Sequence, residues 1–245
     1  MQETEYIYGI RAVLEAIRAG EVPERIYMQH GLKGTLFREL EQEARKHRFN
    51  IQMVPRERLN RFPNENHQGV VATVSPIRYQ DYRELIETIG QRTENPVFLL
   101  LDGVSDVRNL GAIIRTAACA GVDALILPAS GSAPINADTV KTSAGGVFHL
   151  PIGRTPHLKD AVYYLQAVGI PVLAATEKAK DSVYESDLTG PFALLMGSEG
   201  KGISPAILKM TDRQLRLPMK GEIASLNVSV ACGVILYEMV RQRGY

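Results

Sequence analysis

The sequence predicts an α/β protein with a mainly parallel sheet in its C-terminal part and a smaller α/β unit before it. Two observations indicate this class. From Pro96 onward, short and almost wholly apolar segments alternate with helical patterns, which is typical of a parallel sheet that helices cover on both faces. Before Ser75, helical spacing and short strands occupy a much shorter stretch. The 245 residues of the chain are enough for two domains.

The first 75 residues are predicted to form the smaller unit. A helix begins near Ile10, because apolar residues follow it at three- and four-residue spacing. Short strands surrounding a charged helix are expected at 25–28, 50–54 and 70–74. A Ser-Pro pair then ends the unit, and the polar segment after it is expected to be a linker. The predicted domains are residues 1–75 and 96–245, joined by a linker at 76–95.

Five buried strands are predicted in the C-terminal domain, at 97–101, 124–127, 172–175, 192–196 and 214–217. Polar groups follow three of them. The strand at 97–101 leads through an Asp-Gly turn to a helix near Asn109, and the strand at 192–196 leads to a glycine-rich turn that contains Glu199. The last strand leads to a helix whose entry contains Ser225 and Asn227. Since open α/β sheets bind ligands beyond the carboxyl ends of their strands, we predict one composite site there.

Purely structural interpretations of these residues remain open. Ser225 is an ordinary residue for capping a helix, and the apolar run behind it is ordinary core. For Glu199, a plain structural carboxylate in a turn is the less favoured of the two interpretations. The loop at 129–136 is rich in turn residues, and a plain surface loop is the simpler interpretation of it.

Composition indicates a globular protein in a reducing compartment. Apolar residues make up 45% of the chain and charged residues 22%, as in ordinary globular domains. No segment is apolar enough to span a bilayer, and the first five residues are polar and acidic rather than signal-like. We therefore expect a cytoplasmic protein with no membrane association. Cys119 and Cys232, the only cysteines, are expected to be buried core residues without a redox role.

The charge pattern leaves nucleic-acid binding open. A net charge of +1 argues against indiscriminate coating of nucleic acid. One local cluster is basic and is opposed only by Glu57. It consists of Arg45, Lys46, Arg48, Arg56, Arg58 and Arg61. The pattern alone is equally compatible with a solvated surface and with an RNA-facing one.

Several common site types are disfavoured. The glycines of segment 197–202 are in the wrong order for a dinucleotide fingerprint, and Lys201 precedes glycine instead of the Ser or Thr of a P-loop. The five histidines are scattered, so no metal site is predicted. Ser225 has neither the partners nor the Gly-x-Ser-x-Gly setting of a nucleophile. A site of Asn, Arg, Ser and Glu suits phosphate, hydroxyl groups and an amino-acid-like cofactor.

Together, the three junctions resemble the motifs of the SpoU or TrmH family of RNA ribose 2′-O-methyltransferases, within the SPOUT superfamily. The first motif is Asn109-Leu110-Gly111 with Arg115, the second is 197–202 and the third is 217–229. Val107 stands where the family usually has proline, which implies a less rigid turn. The smaller unit resembles the ribosomal-protein-L30e-like substrate-binding domain of this family, through segments 8–13 and 67–70.

The resemblance implies an enzyme that uses S-adenosylmethionine, a C-terminal α/β domain tied in a trefoil knot, and a homodimer that completes each active site. The implied cofactor-binding residues are Gly197, Leu217 and Leu226. The implied catalytic residues are Asn109, Arg115, Glu199, Ser225 and Asn227. It also favours the basic cluster as a set of phosphate contacts to RNA.

Length and both ends of the chain are most similar to family members that methylate a guanosine of 23S rRNA, so ribosomal RNA or a large-subunit assembly intermediate is the expected partner. A tRNA guanosine methyltransferase, a non-catalytic RNA-binding protein and a generic nucleotide-binding enzyme are the alternatives. The role of Arg115 is also open. Proposals for the family make this arginine the general base, but neutralising a guanidinium at neutral pH costs roughly 8 kcal/mol. A charged Arg115 that clamps phosphate is weighed equally.

Overall fold

The computed structural model describes residues 6–47, 49–62, 66–222 and 225–244, and it confirms the α/β class. Two compact units are present. Met1–Arg78 with Pro134–Ala137 form the first, and Tyr79–Ala133 with Asp138–Tyr245 form the second. The segment 76–95, expected as a linker, contains β5 (Gln80–Asp81) and α4 (Tyr82–Gly90), and both belong to the second unit.

The first unit contains a four-stranded sheet. Its elements are β1 (Tyr6–Tyr8), α1 (Ile10–Arg18), β2 (Pro23–Gln29), α2 (Thr35–Lys46), β3 (Ile51–Val54), α3 (Arg56–Leu59) and β4 (Val70–Val74). The strand order is β1-β4-β2-β3. Strand β4 is antiparallel to both neighbours, and β2 and β3 are parallel. The three predicted strands are confirmed, and β1 is an additional one.

Alternate residues of this sheet face two different layers. On one face, Ile26 and Met28 of β2 pack with Leu40 of α2 in a core that α1 also joins. On the other face, Val71 of β4 packs with Leu59 of α3 and with a group of aromatic side chains. Helices α2 and α3 therefore lie on opposite faces of the same sheet.

His67 connects the end of α3 to the turn before β4. Its Nδ1 accepts a hydrogen bond from the Gly69 N–H at 2.9 Å, so the proton lies on Nε2, which donates to Asn60 Oδ1 at 3.0 Å. The side chain is only 3% exposed. Burial, and secondarily the charge of Arg56, lower the pKa of His67 from its ordinary value of 6.5. A neutral His67 therefore fixes the position of α3 at neutral pH.

The second unit contains an eight-stranded sheet. Besides β5 and α4, its strands are β6 (Val97–Asp102), β7 (Ala124–Pro128), β8 (Ile152–Thr155), β9 (Val172–Ala175), β10 (Asp181–Ser182), β11 (Phe192–Gly197) and β12 (Arg213–Arg216). Its helices are α5 (Val107–Cys119), α6 (Ala137–Thr142, whose first residue is assigned to the first unit), α7 (Leu158–Ala167), α8 (Pro205–Leu208) and α9 (Val228–Gln242). Single turns of 3-10 helix form at Gly146–Phe148 and Val183–Glu185.

All neighbouring strands of this sheet run parallel, in the order β10-β12-β9-β11-β6-β7-β8-β5. The five predicted strands are confirmed to within one residue at each end. Three strands are additional. Strands β5 and β10 have two residues each, and β8 carries polar residues within its four, so none of them shows an apolar run.

Helices cover both faces of the large sheet. Phe98 and Leu100 of β6 face a core that includes α4 and α7. Leu99 and Leu101, which are also fully buried, point to the other face. Helices α5 and α9 pack against each other, and α9 also contacts β11. The predicted covering on both faces is confirmed.

The register of the central strands aligns two of the three predicted junctions. Strands β11 and β6 pair from Phe192 with Val97 to Gly197 with Asp102, so they end at the same level. Strand β12 is two positions away from β11, with β9 between them. The carboxyl ends of all these strands meet at one edge of the sheet, where the composite site is predicted.

The two cysteines differ from each other. Cys232 is fully buried in α9, and burial raises the pKa of its thiol to about 12. Cys119 is exposed, so its predicted place in the core is wrong. It is the last residue of α5, where the apolar pattern gives way to a turn. Among the helices of the described residues, none combines the length and apolarity that crossing a membrane requires.

Candidate active site

The first junction is organised by an acidic helix cap. Asp106 precedes α5, and its carboxylate accepts hydrogen bonds from the backbone N–H groups of Arg108 and Asn109 at 2.8 and 2.9 Å. Val107 is the first helical residue, a position that favours proline. In this chain the Asp106 cap fixes the start of α5, a role that proline at position 107 would otherwise support. Asp106 was not among the predicted site residues, although an aspartate directly before a helical pattern is a recognisable start signal.

The second junction is a tight glycine turn after β11. Ser198 and Gly202 exchange backbone hydrogen bonds at 3.1 and 2.9 Å, so the chain folds back across its own strand end. Asp102, at the end of β6, accepts a hydrogen bond from the Ser204 N–H at 2.7 Å and anchors the returning chain. A Cβ atom on Gly197 would lie 2.2 Å from backbone atoms of Gly202 and Ile203. Only glycine fits there.

The third junction begins helix α9 at Val228, with Asn227 as its cap. Asn227 Oδ1 accepts hydrogen bonds from the Ser229 and Val230 N–H groups at 3.0 and 3.4 Å, and from the Ser229 hydroxyl at 2.6 Å. The interpretation of Ser225 as the helix cap is therefore wrong. Ser225 lies two residues before the cap and is exposed. The neighbouring residues 223 and 224 lie outside the described part of the chain.

Three predicted site residues, one from each junction, form a hydrogen-bonded ring. Asn109 Nδ2 donates to Glu199 Oε2 at 3.0 Å. Asn227 Nδ2 donates to Asn109 Oδ1 at 3.0 Å and to Glu199 Oε1 at 3.3 Å. We call this arrangement the Asn-Glu-Asn ring. It connects residues that are 28 to 118 positions apart in sequence.

The hydrogen bonds of the ring have a defined direction. Because backbone N–H groups of α9 occupy Asn227 Oδ1, the amide of Asn227 must turn its NH2 group toward the ring. Asn109 must then present its oxygen to Asn227 and its NH2 group to Glu199. Both oxygens of Glu199 accept hydrogen bonds, which suits a deprotonated carboxylate. Glu199 is exposed to solvent, so each bond adds only about 1 kcal/mol of stability.

A pocket of about 250 Å³ opens beside the ring. All three predicted cofactor-binding residues line it, together with Glu199 and Ser225. The predicted cofactor residues are Gly197, Leu217 and Leu226. Apolar side chains from β12 and α9 form one part of the wall, namely Leu215, Val228, Ala231 and Ile235. The pocket thus has an apolar wall and a polar side at the glycine turn.

Sequence reasoning missed part of the pocket. Thr176, Glu177 and Lys178 follow β9 and line it, and Lys201 of the glycine turn lines it as well. The strand at 172–175 was predicted, and its carboxyl end lies at the same sheet edge as the other junctions. The polar segment 176–178 directly after a predicted buried strand was the signal in the sequence that could have identified these residues.

Arg115 does not join the ring within one chain. It lies six residues after Asn109 on α5, which places it about 120° around the helix and about 9 Å along the axis. Its side chain is exposed, and within the described residues it has neither a hydrogen bond nor an ion pair. The structure therefore brings together Asn109, Glu199 and Asn227, places Ser225 at the pocket, and leaves Arg115 apart.

Helix α5, which carries Arg115, packs against two elements with exposed apolar side chains, the turn at Gly146–Phe148 and α9. A Cβ atom on Gly146 would lie 3.4 Å from the Arg115 Cα, so the turn that carries Phe148 packs next to it. Thr116 approaches Gly233 of α9, where a Cβ atom would lie 3.4 Å away. Gly233 belongs to a stripe of α9 with Val230 and Tyr237. Phe148, Val230 and Tyr237 are each about half exposed, at 51%, 50% and 51%. We call Phe148, Val230 and Tyr237 the apolar stripe.

Metal chemistry has no candidate centre in the described part of the chain, where no group of three His, Cys, Asp or Glu side chains is placed to hold an ion. The ring contains a single carboxylate and two amides. Its chemistry is that of directed hydrogen bonds.

Comparison with known proteins covers both units. A model of the SpoU rRNA methylase family matches residues 96–237, and a model of the RNA 2′-O ribose methyltransferase substrate-binding domain matches residues 6–80. The 23S rRNA (guanosine-2′-O-)-methyltransferase RlmB of Vibrio cholerae is 38% identical over 243 residues, which are 98% of this chain and 97% of that protein. YacO of Bacillus subtilis, assigned to the TrmH family, is 33% identical over 99% of this chain and 97% of its own length.

A solved structure is similar over both units. The SpoU methyltransferase AviRb from Streptomyces viridochromogenes, in complex with AdoMet, matches with a TM-score of 0.61 and 29% sequence identity. The match covers 97% of this chain and 90% of that one. These findings confirm the predicted resemblance for both units.

Replacing Gly197 with Ala should destabilise the second unit and abolish cofactor binding, because the added methyl group meets the backbone of the returning turn. We expect a loss on the order of 3 kcal/mol or more in the free energy of unfolding. Denaturant unfolding and calorimetric titration with S-adenosylmethionine measure the two effects. Gly190→Ala is the matched control, since a Cβ atom there has open space. A Gly197→Ala protein as stable as this control would contradict the close approach.

Proposed function

This chain belongs to the SpoU rRNA methylase family, and we propose that it methylates the ribose 2′-oxygen of a guanosine in 23S rRNA. It is an S-adenosylmethionine-dependent RNA ribose 2′-O-methyltransferase. The RlmB protein of Vibrio cholerae, which carries this substrate in its name, supports the proposal through its similarity over both units. The observation that carries it is the Asn-Glu-Asn ring beside the pocket at the strand ends.

The residues of the pocket fit S-adenosylmethionine. Leu217 and Ile235 offer apolar surface to a purine, and the glycine turn offers backbone groups without side chains in the way. When bound, the cofactor supplies an electrophilic methyl group on a positively charged sulfur. Gly197, Leu217 and Leu226 would hold it, largely through their backbone groups. Glu199 adds a carboxylate near the positive charge.

Positioning is the main contribution that we assign to the chain itself. Holding a hydroxyl oxygen in line with a reactive methyl group can lower a barrier by roughly 7 to 11 kcal/mol in favourable cases. The ring holds the glycine turn and the start of α9 in one arrangement. Ser225, exposed at the pocket, would bind the ribose or a phosphate together with Asn109, while Glu199 and Asn227 organise the loops.

We also propose that the enzyme is a homodimer in which Arg115 acts on the partner's site. The apolar stripe offers a surface that a second copy would cover, and the helix that carries Arg115 packs against the elements of the stripe. In such a dimer Arg115 would contact an RNA phosphate bound at the partner's ring, a contact that its planar fork suits. A two-fold interface would complete two such sites at once.

The alternatives are less well supported. Each of the three motifs contributes one residue to the Asn-Glu-Asn ring. This shared arrangement disfavours a non-catalytic RNA-binding protein. The fold and the glycine turn match neither a dinucleotide site nor a P-loop. Ribose-methylation mapping distinguishes modification of tRNA from the proposed modification of 23S rRNA.

Cells that lack this protein should lose one 2′-O-methylguanosine from 23S rRNA, because the proposed activity places that mark. Ribose-methylation mapping of ribosomal and transfer RNA from deleted and parental strains measures the loss. A plasmid copy of the unaltered gene should restore the mark. A mark that disappears from tRNA while 23S rRNA is unchanged would contradict the proposed substrate.

Mixing two inactive variants should restore activity if Arg115 acts across the dimer. Arg115→Ala retains the ring and pocket of its own chain, whereas Glu199→Ala retains Arg115. After co-expression, roughly a quarter of wild-type activity is expected, because half of the dimers are mixed and each holds one complete site. Methyl transfer to RNA is the measurement. A mixture no more active than either variant alone would place Arg115 in its own chain's site.

A further inference from the structure

We propose that the first unit binds unpaired RNA on the sheet face that carries α3, with a base stacked on tyrosine rings and phosphates held by arginines. This aromatic face consists of Tyr6, Tyr8, Tyr27 and Phe62, with Arg25 and Arg58 beside the Tyr27 ring. Arg56 and Arg61 are exposed in the same segment as Arg58, which comprises α3 and the turn after it. The inference rests on the proposed RNA substrate. It adds which surface of the substrate-binding unit makes the contact and which form of RNA that surface takes.

The strand register places the rings side by side. Tyr8 of β1 and Tyr27 of β2 both pair with Val71 of the strand between them, so they lie in one row across the sheet. Tyr6 and Arg25 lie in the next row, on either side of Thr73. Residues two apart on a strand share a face, so both rows point the same way.

Phe62 joins the two rows. Its ring centroid lies 5.3 Å from that of Tyr6 and 5.1 Å from that of Tyr27. Each of these rings is only partly buried, although they form a continuous aromatic group. A group of aromatic rings on a sheet is the usual platform on which single-stranded RNA stacks its bases.

The same face collects positive charge. The guanidinium carbons of Arg25 and Arg58 each lie 5.9 Å from the centroid of the Tyr27 ring. Arg56, Arg58 and Arg61 are exposed. Throughout the described part of the chain, none of these four arginines forms an ion pair with a carboxylate. Unpaired cations beside exposed rings match the alternating phosphates and bases of an RNA strand.

The helical face of the unit has a different charge balance. Arg45 of α2 pairs with Glu41 at 2.6 Å, and Lys46 lies 3.6 Å from Glu43. Arg18 of α1 binds two glutamates as well. The predicted basic cluster at 45–61 is therefore not one surface, because its α2 members and its α3 members lie on opposite faces of the sheet. Arg48 lies outside the described residues.

Unpaired RNA fits this face better than a duplex does. Bases in an A-form duplex are stacked on one another and offer their rings to no side chain, whereas unpaired bases are free to stack on aromatic groups. The aromatic face therefore selects loops or strands that have not yet folded.

Stacking of a base on the tyrosine rings is tested by measuring RNA binding to the full chain without cofactor. Tyr27→Leu removes the ring but keeps an apolar side chain, and Tyr27→Phe keeps the ring. For a short single-stranded RNA, Tyr27→Leu should weaken binding about tenfold, and Tyr27→Phe should bind as the wild type does. The same strand annealed to its complement should bind more weakly than the free strand and should show no such difference. Equal affinities for all three proteins would overturn the stacking.

The contacts between arginines and phosphates are tested by the salt dependence of the same RNA binding. Arg58→Gln removes one exposed cation from the aromatic face and should lower the slope of log affinity against log salt by about 0.7. Arg45→Gln is the matched control on the α2 face and should leave the slope unchanged. If Arg45→Gln lowers this slope and Arg58→Gln leaves it unchanged, the assignment of RNA binding to the aromatic face is overturned. Because both variants are exposed substitutions, they test it even if Tyr27→Leu does not fold.

Methyl transfer by the unaltered enzyme separates this inference from the proposed function. If the wild type methylates 23S rRNA and the variants bind RNA as the controls do, the function stands and the aromatic face is refuted. If the aromatic-face variants lose RNA affinity but no methyl transfer to rRNA occurs, the face stands and the proposed substrate fails.

Discussion

The candidate active site depends on one directed set of hydrogen bonds, in which Asn227 both caps a helix and organises a ring. Its oxygen is occupied by the first N–H groups of α9, so its NH2 group must point outward to Asn109 and Glu199. A helix needs such acceptors at its start in any case. The start of α9 therefore determines the orientation of both other residues.

This constraint links the fold to the chemistry. Strand β11 ends level with β6, and the turn at Gly197 folds back so tightly that Glu199 is presented beside Asn109. The start of α9 contributes both Asn227 to the ring and an apolar wall to the pocket. The ring and the pocket wall would thus orient the methyl donor and the methyl acceptor, and the same groups hold the sheet edge together. The one site residue outside this arrangement, Arg115, lies on a helix that packs against the elements of the apolar stripe.

Periodicity and apolar runs predicted most of the fold. The five long strands of the large sheet are continuous apolar segments, and they were predicted to within a residue. Strands β5, β8 and β10 are too short or too polar to give such a signal. The threading of a knot depends on which segment passes through which loop, and no periodicity reports that. Cys119 illustrates the same limit, because an apolar pattern does not reveal that a helix is about to end.

Three of the predicted site residues lie together, but the sequence did not predict the geometry that joins them. Junctions after parallel strands identified Asn109, Glu199 and Asn227, yet choosing Asn227 over Ser225 as the cap required the position of the first turn of α9. The basic cluster is contiguous in sequence and divided in space, because a strand separates α2 from α3 and sends them to opposite faces. Charge pairing within α2, which only coordinates reveal, decides which half is available to RNA.

A double-mutant cycle tests most directly whether the ring acts as one unit. The free energy of unfolding would be measured for the wild type, Asn109→Ala, Glu199→Ala and the double variant. Because the two side chains are hydrogen-bonded to each other and share Asn227, a coupling of at least about 0.5 kcal/mol is expected. Effects that add to within about 0.3 kcal/mol would show that the residues act independently, and would contradict a ring that acts as one unit.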